Sequence, residues 1–454
     1  MTTIEATSLT DVITDFTLGF RFEDLAPDVL AEARRCFLDT LGVALVGFSE
    51  PATQMMLRVS GAEACGGSVT ILGADIRSTP LLAALVNGYA AHALDYDDTQ
   101  HRVGTHMSAP VVAAALALAE VEHRSGRDLL TAYIVGFEVG TRLGRAASFA
   151  RHLGRLGIHA TGYLGHLGAV AATGRLTGLD AVQMRRGFGI AAGHASGLRS
   201  SFGTMGKAQN AGNAAHNAVL SALLAREGFT GPEQILDGDR NLFSVCGAAT
   251  DPGEMIEGLG HEFEITKNTL KIFACAGWRN PIVEASIRLA DAHDLQPGDI
   301  EKVNVWAWTD LEHLPNYREP RTGLESKFSA EHAAAVALID RAGGVAQFAD
   351  DRVADPVLAK LRSKVELGFD ETLGPYQIRA EIETRQGNKV SHFVPSQKGD
   401  HANPLTWDEL LVKFKANTSR VLPPENVDTL VDMITNIDTL EDVNQLTRLC
   451  RPDG

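Results

Sequence analysis

From residue 8 to about 260, apolar residues recur at three- and four-residue steps, the repeat of helices with a buried face. The spacing predicts helices over 8–18, 27–46, 80–97, 109–123, 127–147, 162–177, 181–198 and 212–226, and Pro27 suits the first turn of its helix. Most of these segments are rich in Ala and Gly and carry few charges on any face, so they read as helices buried on most sides. One short run, Gly67-Ser-Val-Thr-Ile-Leu-Gly73, has strand character and reads as a hairpin or edge piece.

After about residue 265 the pattern changes. Glu301-Lys-Val-Asn-Val-Trp-Ala-Trp308 alternates polar and apolar, as a half-buried strand does, and 376–394 reads as two strands around a turn at 386–389. Helices are expected between and before them, over 282–292, 330–341 and 357–364. The fold class is therefore mainly α with an α+β second domain. A large all-helical domain is expected over 1–265 and a smaller α+β lid domain over 266–400. Helical patterning returns over 401–454, with starts near Thr406 and Pro423. These last helices are expected to pack back on the helical domain, because the small domain would otherwise have to bury them.

Composition narrows the class. The 454 residues are 44% hydrophobic and 22% charged, ordinary for a globular protein with a large core. A formal net charge of −16 argues against nucleic acid and against anionic membrane surfaces as partners. An acidic ligand would then need Lys and Arg gathered locally. The five cysteines are scattered without a CxxC pair, which speaks against a disulfide framework and a structural zinc site. The N-terminus has no basic segment followed by an apolar run, and no apolar stretch reaches the length of a membrane span, so a cytoplasmic location is expected.

The densest chemistry lies in 91–110, with Asp95, Asp97, Asp98, Thr99, His101, Thr105 and His106 set between two apolar helices. Burying such groups costs solvation energy unless they are paired or do chemistry. If the preceding helix runs on to Thr99, Asp95 and Thr99 share a stripe of small residues and project together towards a cleft. Three readings stand side by side: one wall of an active site, an Asp95 that caps or pairs locally, and a cation site of the three aspartates with His101 or His106. The last matches no metal spacing. The Asp95–Asp98 string also resembles the acid of olefin-protonating cyclases, but aromatics at 6% are too few to line such a cavity.

Further along, His159 sits in a Gly-flanked loop before a helix that Thr161 can cap, a place where free N–H groups favour anions. A Gly/Ser-rich connector, 193–213, carries Arg199 and Lys207. Its Gly206-Lys207 pair lacks the first Gly and the Ser/Thr of a phosphate loop. Lys271, Arg279, Arg321 and Lys327 cluster near the domain junction, where pockets are common. Cys275 reads as a small buried residue.

These strings together resemble the MmgE/PrpD family, which includes 2-methylcitrate dehydratase, cis-aconitate decarboxylase and iminodisuccinate epimerase. The resemblance is carried in order by Asn87-Gly-Tyr-Ala-Ala-His-Ala-Leu-Asp-Tyr-Asp-Asp-Thr99 with Thr105-His106, by His159-Ala-Thr-Gly162, by the segment around Lys207 with Gly212-Asn-Ala-Ala215, by Lys271-Ile-Phe, and by Thr322-Gly-Leu-Glu-Ser-Lys-Phe-Ser329. It implies a homodimer and a site between the two domains that needs no cofactor and no metal. That site falls on Asp95, Thr99, His106, His159, Lys207 and Lys271. The chain departs from many relatives at Arg279-Asn280-Pro281, where Asn280 replaces a histidine, and at His332, where a tyrosine is common.

The family's reactions share the burden of a carbanion beside a carboxylate and a proton moved there. They call for cations and for an acid/base near neutrality. On this reading His106, His159, Asp95, Lys207 and Lys271 are catalytic, with Thr99, Arg199, Arg279, Asn280 and His332 in substrate binding. His106 and His159 are the expected proton carriers, the two lysines clamp carboxylates, and Asp95, held by Thr99, tunes His106 or acts as a base if burial raises its pKa. The expected function is a lyase, dehydratase or decarboxylase, on a small anionic di- or tricarboxylic acid. The alternatives are an epimerase of an amino- or imino-dicarboxylate, favoured by Asn280 and His332, and a non-catalytic helical binding protein.

Overall fold

The computed structural model describes residues 8–249 and 251–452; the first seven residues of the N-terminal stretch lie outside it. The helices Pro27–Phe48, Pro80–Ala93, Ser108–Val121, Gly126–Arg145, Ala160–Leu176 and Gly206–Arg226 pack in layers around one large apolar core. Every residue of Ser108–Val121 up to Glu120 is buried, as expected of a helix with no charged face. Gly67–Gly73 supplies one side of a two-residue hairpin, Val69–Thr70 paired with Arg77–Ser78. Helices Pro51–Ser60 and Phe149–Arg155 are too short to show a periodic signal in the sequence.

A second core lies around a four-stranded mixed sheet. Strand Ile300–Trp308 pairs in parallel with Val365–Asp370 and antiparallel with Ile378–Thr384, which pairs in turn with Lys389–Val394. The hairpin over 376–394 and the strand at 301–308 agree with the alternation, whereas Val365–Asp370 is an edge strand with a weak pattern. Helices Asn280–Ala292 and Ala330–Asp340 cover the sheet. The molecule is thus a large helical assembly joined to a smaller α+β part.

The chain then returns to the first core. Helix Trp407–Thr418 starts at a capping box between Thr406 and Glu409 and packs on Pro27–Phe48, with Leu410 and Phe414 in the large core. Helix Pro424–Thr435 adds Val427, Leu430 and Ile434 to the same core. Among the described residues no helix is long and apolar enough to cross a membrane.

Candidate active site

Two helices set the site. Pro80–Ala93 and Gly206–Arg226 pass each other in opposite directions and touch along their backbones. A Cβ on Gly212 would lie 2.7 Å from the Leu85 carbonyl oxygen, and one on Gly88 would lie 3.1 Å from the Ala215 Cβ. This close passage brings His92, in the last turn of one helix, against Lys207, in the first turn of the other. Lys207 Nζ is 2.9 Å from His92 Nε2. Lys207 belongs to the helix, which begins at Gly206, six residues before the expected start, and not to a connector.

The helix from Pro80 ends at Ala93, so the expected run to 97 fails, and with it the shared stripe of Asp95 and Thr99. Asp95 instead takes a left-handed conformation (φ 50°), where the chain leaves the helix. Its carboxylate lies between two ammonium groups. Lys271 Nζ is 2.6 Å from Oδ1 and Lys207 Nζ is 3.0 Å from Oδ2. Lys271 is carried there by Thr269, whose backbone exchanges hydrogen bonds of 2.8 and 3.0 Å with Thr99.

The hydrogen bonds fix the imidazole tautomers. An ammonium only donates, so His92 Nε2 accepts from Lys207 and the proton sits on Nδ1, which donates to Asp97 Oδ2 at 2.8 Å. His106 Nδ1 is 2.8 Å from the Asp98 carbonyl oxygen and therefore carries its proton. Among the described residues nothing donates to its Nε2, which lies 3.9 Å from Asp95 Oδ1. Thr99 Oγ1 lies 3.4 Å from His106 Nδ1, so Thr99 supports the histidine and not Asp95. His159 stacks on His92 at 5.8 Å between ring centroids, and its Nδ1 accepts from Asn210 Nδ2 at 3.0 Å, leaving the proton on Nε2. The cap expected of Thr161 is absent; its Oγ1 accepts from the His106 backbone N–H instead.

Burial and mutual charge set the protonation states. Burial alone would push the Asp95 carboxyl up, but Lys207 and Lys271 hold it well below the usual carboxylate range. Asp95 is thus an ionised carboxylate and too weak a base to take a proton near neutral pH. Burial lowers Lys207, against the opposing pull of Asp95, and the positive end of its helix adds to the strain on that charge. Lys271 is also penalised by burial, yet Asp95 and Asp97 keep it above the ordinary lysine value. Burial carries His106 down to about 3, opposed by Asp97 and helped by Lys271 and Lys207. His92 and His159 are lowered too, burial being the main cause. The three imidazoles are neutral.

A further ion pair supports this arrangement from the C-terminal helices. Lys413 Nζ is 2.6 Å from Asp39 Oδ1 and donates to the carbonyls of Tyr96, at 3.0 Å, and Lys271, at 2.7 Å. One buried cation thereby ties the Asp95 turn to the segment that carries Lys271.

Four expected binding residues lie elsewhere. Arg199 donates to the Gly154 carbonyl and lies over Phe202, whose ring meets His159 edge-on. Arg279 is buried and donates to the carbonyls of Pro315 and Phe328. Asn280 bonds the backbone at Phe273 and Cys275, and His332 Nε2 meets the Gln347 carbonyl at 2.9 Å. Each of the four makes at least one hydrogen bond to backbone, a use that a single sequence cannot distinguish from ligand contact. Conversely, Asp97, which is not among the residues that the resemblance implies for the site, belongs with His92 and His106. His92 had no sequence signal beyond its place one turn before Asp95. Asp98 and His101 are structural: Asp98 accepts from Ser108 and Asn268, and His101 pairs with Asp400.

A cavity of about 480 Å³ opens beside the cluster. Tyr89, His92, Asp95 and Lys207 line it from the helical part, and Lys327, Phe328 and Phe348 from the α+β part. Among the described residues, His92, Asp97 and His106 are the group whose donor atoms converge closely enough for a metal ion. Both His92 ring nitrogens are engaged, however, Nε2 with Lys207 and Nδ1–H with Asp97 Oδ2, and His106 Nδ1 is held by the Asp98 carbonyl oxygen. A cation there would also face two buried ammonium groups.

Comparison with known proteins follows the same lines. The MmgE/PrpD N-terminal domain matches residues 11–254 and the MmgE/PrpD C-terminal domain residues 273–439. The chain is 29% identical over 459 residues to the cis-aconitate decarboxylase of Homo sapiens, covering 98% of this chain and 95% of that protein. It is 28% identical to the mouse protein of the same name, over 98% of this chain and 93% of that one. With the Aspergillus terreus cis-aconitate decarboxylase the identity is 27%, over 94% and 92%.

Proposed function

The chain belongs to the MmgE/PrpD family and is a lyase of that type, and from that premise we propose that it removes CO2 from a small tricarboxylic acid of the cis-aconitate class. On this reading the reaction takes place in the cavity beside Asp95 and Lys207. The observation that carries this reading is the pairing of a cavity-lining ammonium, Lys207, with a neutral histidine and an obligate anion.

Decarboxylation breaks the bond between the departing carboxyl and its carbon and leaves the electron pair on that carbon. The pair spreads towards a neighbouring double bond or carboxylate, and a proton must then be delivered to carbon. Lys207 meets both needs: its charge faces the cavity, and burial makes it a readier acid than an exposed lysine. Asp95 and His92 fix it in place, and Asp95 does not take its proton, since it is held ionised. His159, with its proton on Nε2, is a neutral donor for a substrate carboxylate. Lys207 regains its proton from solvent through the cavity that it lines.

Epimerisation loses its two supports here, because Asn280 and His332 are committed to backbone hydrogen bonds. The test is NMR in deuterated water with cis-aconitate, methylcitrate and iminodisuccinate. The proposal expects CO2 release from cis-aconitate with one deuteron fixed in the product. Solvent exchange at carbon without loss of mass would identify an epimerase instead.

A further inference from the structure

Lys327 lies on the α+β wall of the cavity that Lys207 lines from the helical side. It is 3% exposed, and among the described residues its ammonium makes one hydrogen bond, 2.9 Å to the Ala274 carbonyl. Among the described residues no carboxylate comes within ion-pair distance of it. An ammonium has three N–H donors, so two remain for a ligand in a place sheltered from water. Lys207 and Lys271, by contrast, already share Asp95.

The local fold presents Lys327 deliberately. Thr322 caps the short turn Gly323–Ser326 by accepting from the Glu325 N–H, and the Lys327 carbonyl then accepts from Ala276 N–H at 3.0 Å. This places the stem against Phe348, with Nζ 5.5 Å from the ring centroid. The acids on the same wall are accounted for. Asp350 accepts from the Gly323 N–H, Glu325 pairs with Arg321, and burial pushes Glu50 above the usual carboxyl range, which weakens its claim on the lysine. Burial also brings Lys327 down to about 8, so an anion that keeps it charged gains from doing so.

We propose that Lys327 is a specificity-determining residue that binds a substrate carboxylate remote from the reacting carbon, across the cavity from Lys207. The inference rests on the reading of the substrate as a polycarboxylate. It gives the two parts of the molecule one carboxylate contact each and explains why a substrate with several carboxylates fits a protein of net charge −16.

The probe is propane-1,2,3-tricarboxylate, an unreactive trianion, titrated calorimetrically into wild type and Lys327→Met. The expected result is a roughly tenfold to hundredfold weaker Kd in the variant, the range for losing a charge-assisted hydrogen bond, with Lys327→Arg recovering most of it. A variant Kd within threefold of wild type overturns the proposal. A wild-type measurement stands beside it in case a variant does not fold: saturating trianion should slow reductive methylation of Lys327, and an unchanged rate overturns the proposal. If wild type binds the trianion through Lys327 but turns over no polycarboxylate, the functional reading fails and the binding site stands. If wild type does not bind the trianion, both fail.

Discussion

Lys271 holds Asp95 twice, with Nζ 2.6 Å from the carboxylate oxygen Oδ1 and 2.7 Å from the residue's own carbonyl oxygen. One buried ammonium therefore fixes both the side chain and the left-handed backbone that aims it. Lys271→Met leaves Asp95 buried with half its countercharge. The expected loss is about 3–5 kcal/mol of stability, read by urea denaturation, because an unpaired buried charge is costlier than the pair was favourable. A loss below about 1 kcal/mol would show that the pair is not sealed from water.

His92 is the contact that positions the Lys207 ammonium. His92→Gln is expected to lower kcat/KM on order of a hundredfold at neutral pH while leaving the melting temperature within a few degrees, since the amide fills much of the ring's space. The effect should fall mainly on kcat. A rise in KM with kcat intact would make His92 a substrate contact and not a support of the acid.

How far the sequence reached is clearest at these residues. The helical and α+β halves follow from hydrophobic spacing, and Asp95, His106, His159, Lys207 and Lys271 do converge. Local pattern falls short where geometry depends on contacts far apart in the chain. Periodicity carried the Pro80 helix past Ala93 because Leu94 and Tyr96 are apolar, whereas the turn at Asp95 is held by Lys271, 176 residues away. His92 carries no signal of its own in the sequence because only the glycine-mediated passage of two helices brings it to Lys207. Arg279 and His332 look like ligand contacts in sequence and are spent on carbonyls that no local pattern announces.

Stability should fall on acidification. His92, His106 and His159 are held below their ordinary value in the fold, whereas an unfolded chain protonates histidine near pH 6.5. Between that pH and the folded values, down to about 3 for His106, the unfolded state binds more protons, so unfolding is favoured as pH drops. Melting temperatures from pH 7.5 to 5 should decline, and the decline should be shallower in His106→Gln. A flat profile would mean that the imidazoles are already charged in the fold.

Gly212 tests the helix passage itself. Gly212→Ala puts a methyl 2.7 Å from the Leu85 carbonyl oxygen, a backbone atom that cannot rotate away. The expected cost is about 1–3 kcal/mol, with a fall in kcat as Lys207 is moved from His92. Unchanged kinetics at reduced stability would separate the packing from the chemistry.

The central claim is that Lys207 supplies the proton in a decarboxylation, and its pH dependence tests that most directly. Burial lowers Lys207 below the ordinary lysine value of about 10.4, and the ammonium is the active form, so kcat on cis-aconitate should fall as pH rises through that lowered pKa. In Lys207→Met the residual CO2 release should be at least about a hundredfold slower and should lose this alkaline limb. A variant that keeps wild-type kcat, or that keeps the limb, contradicts the account.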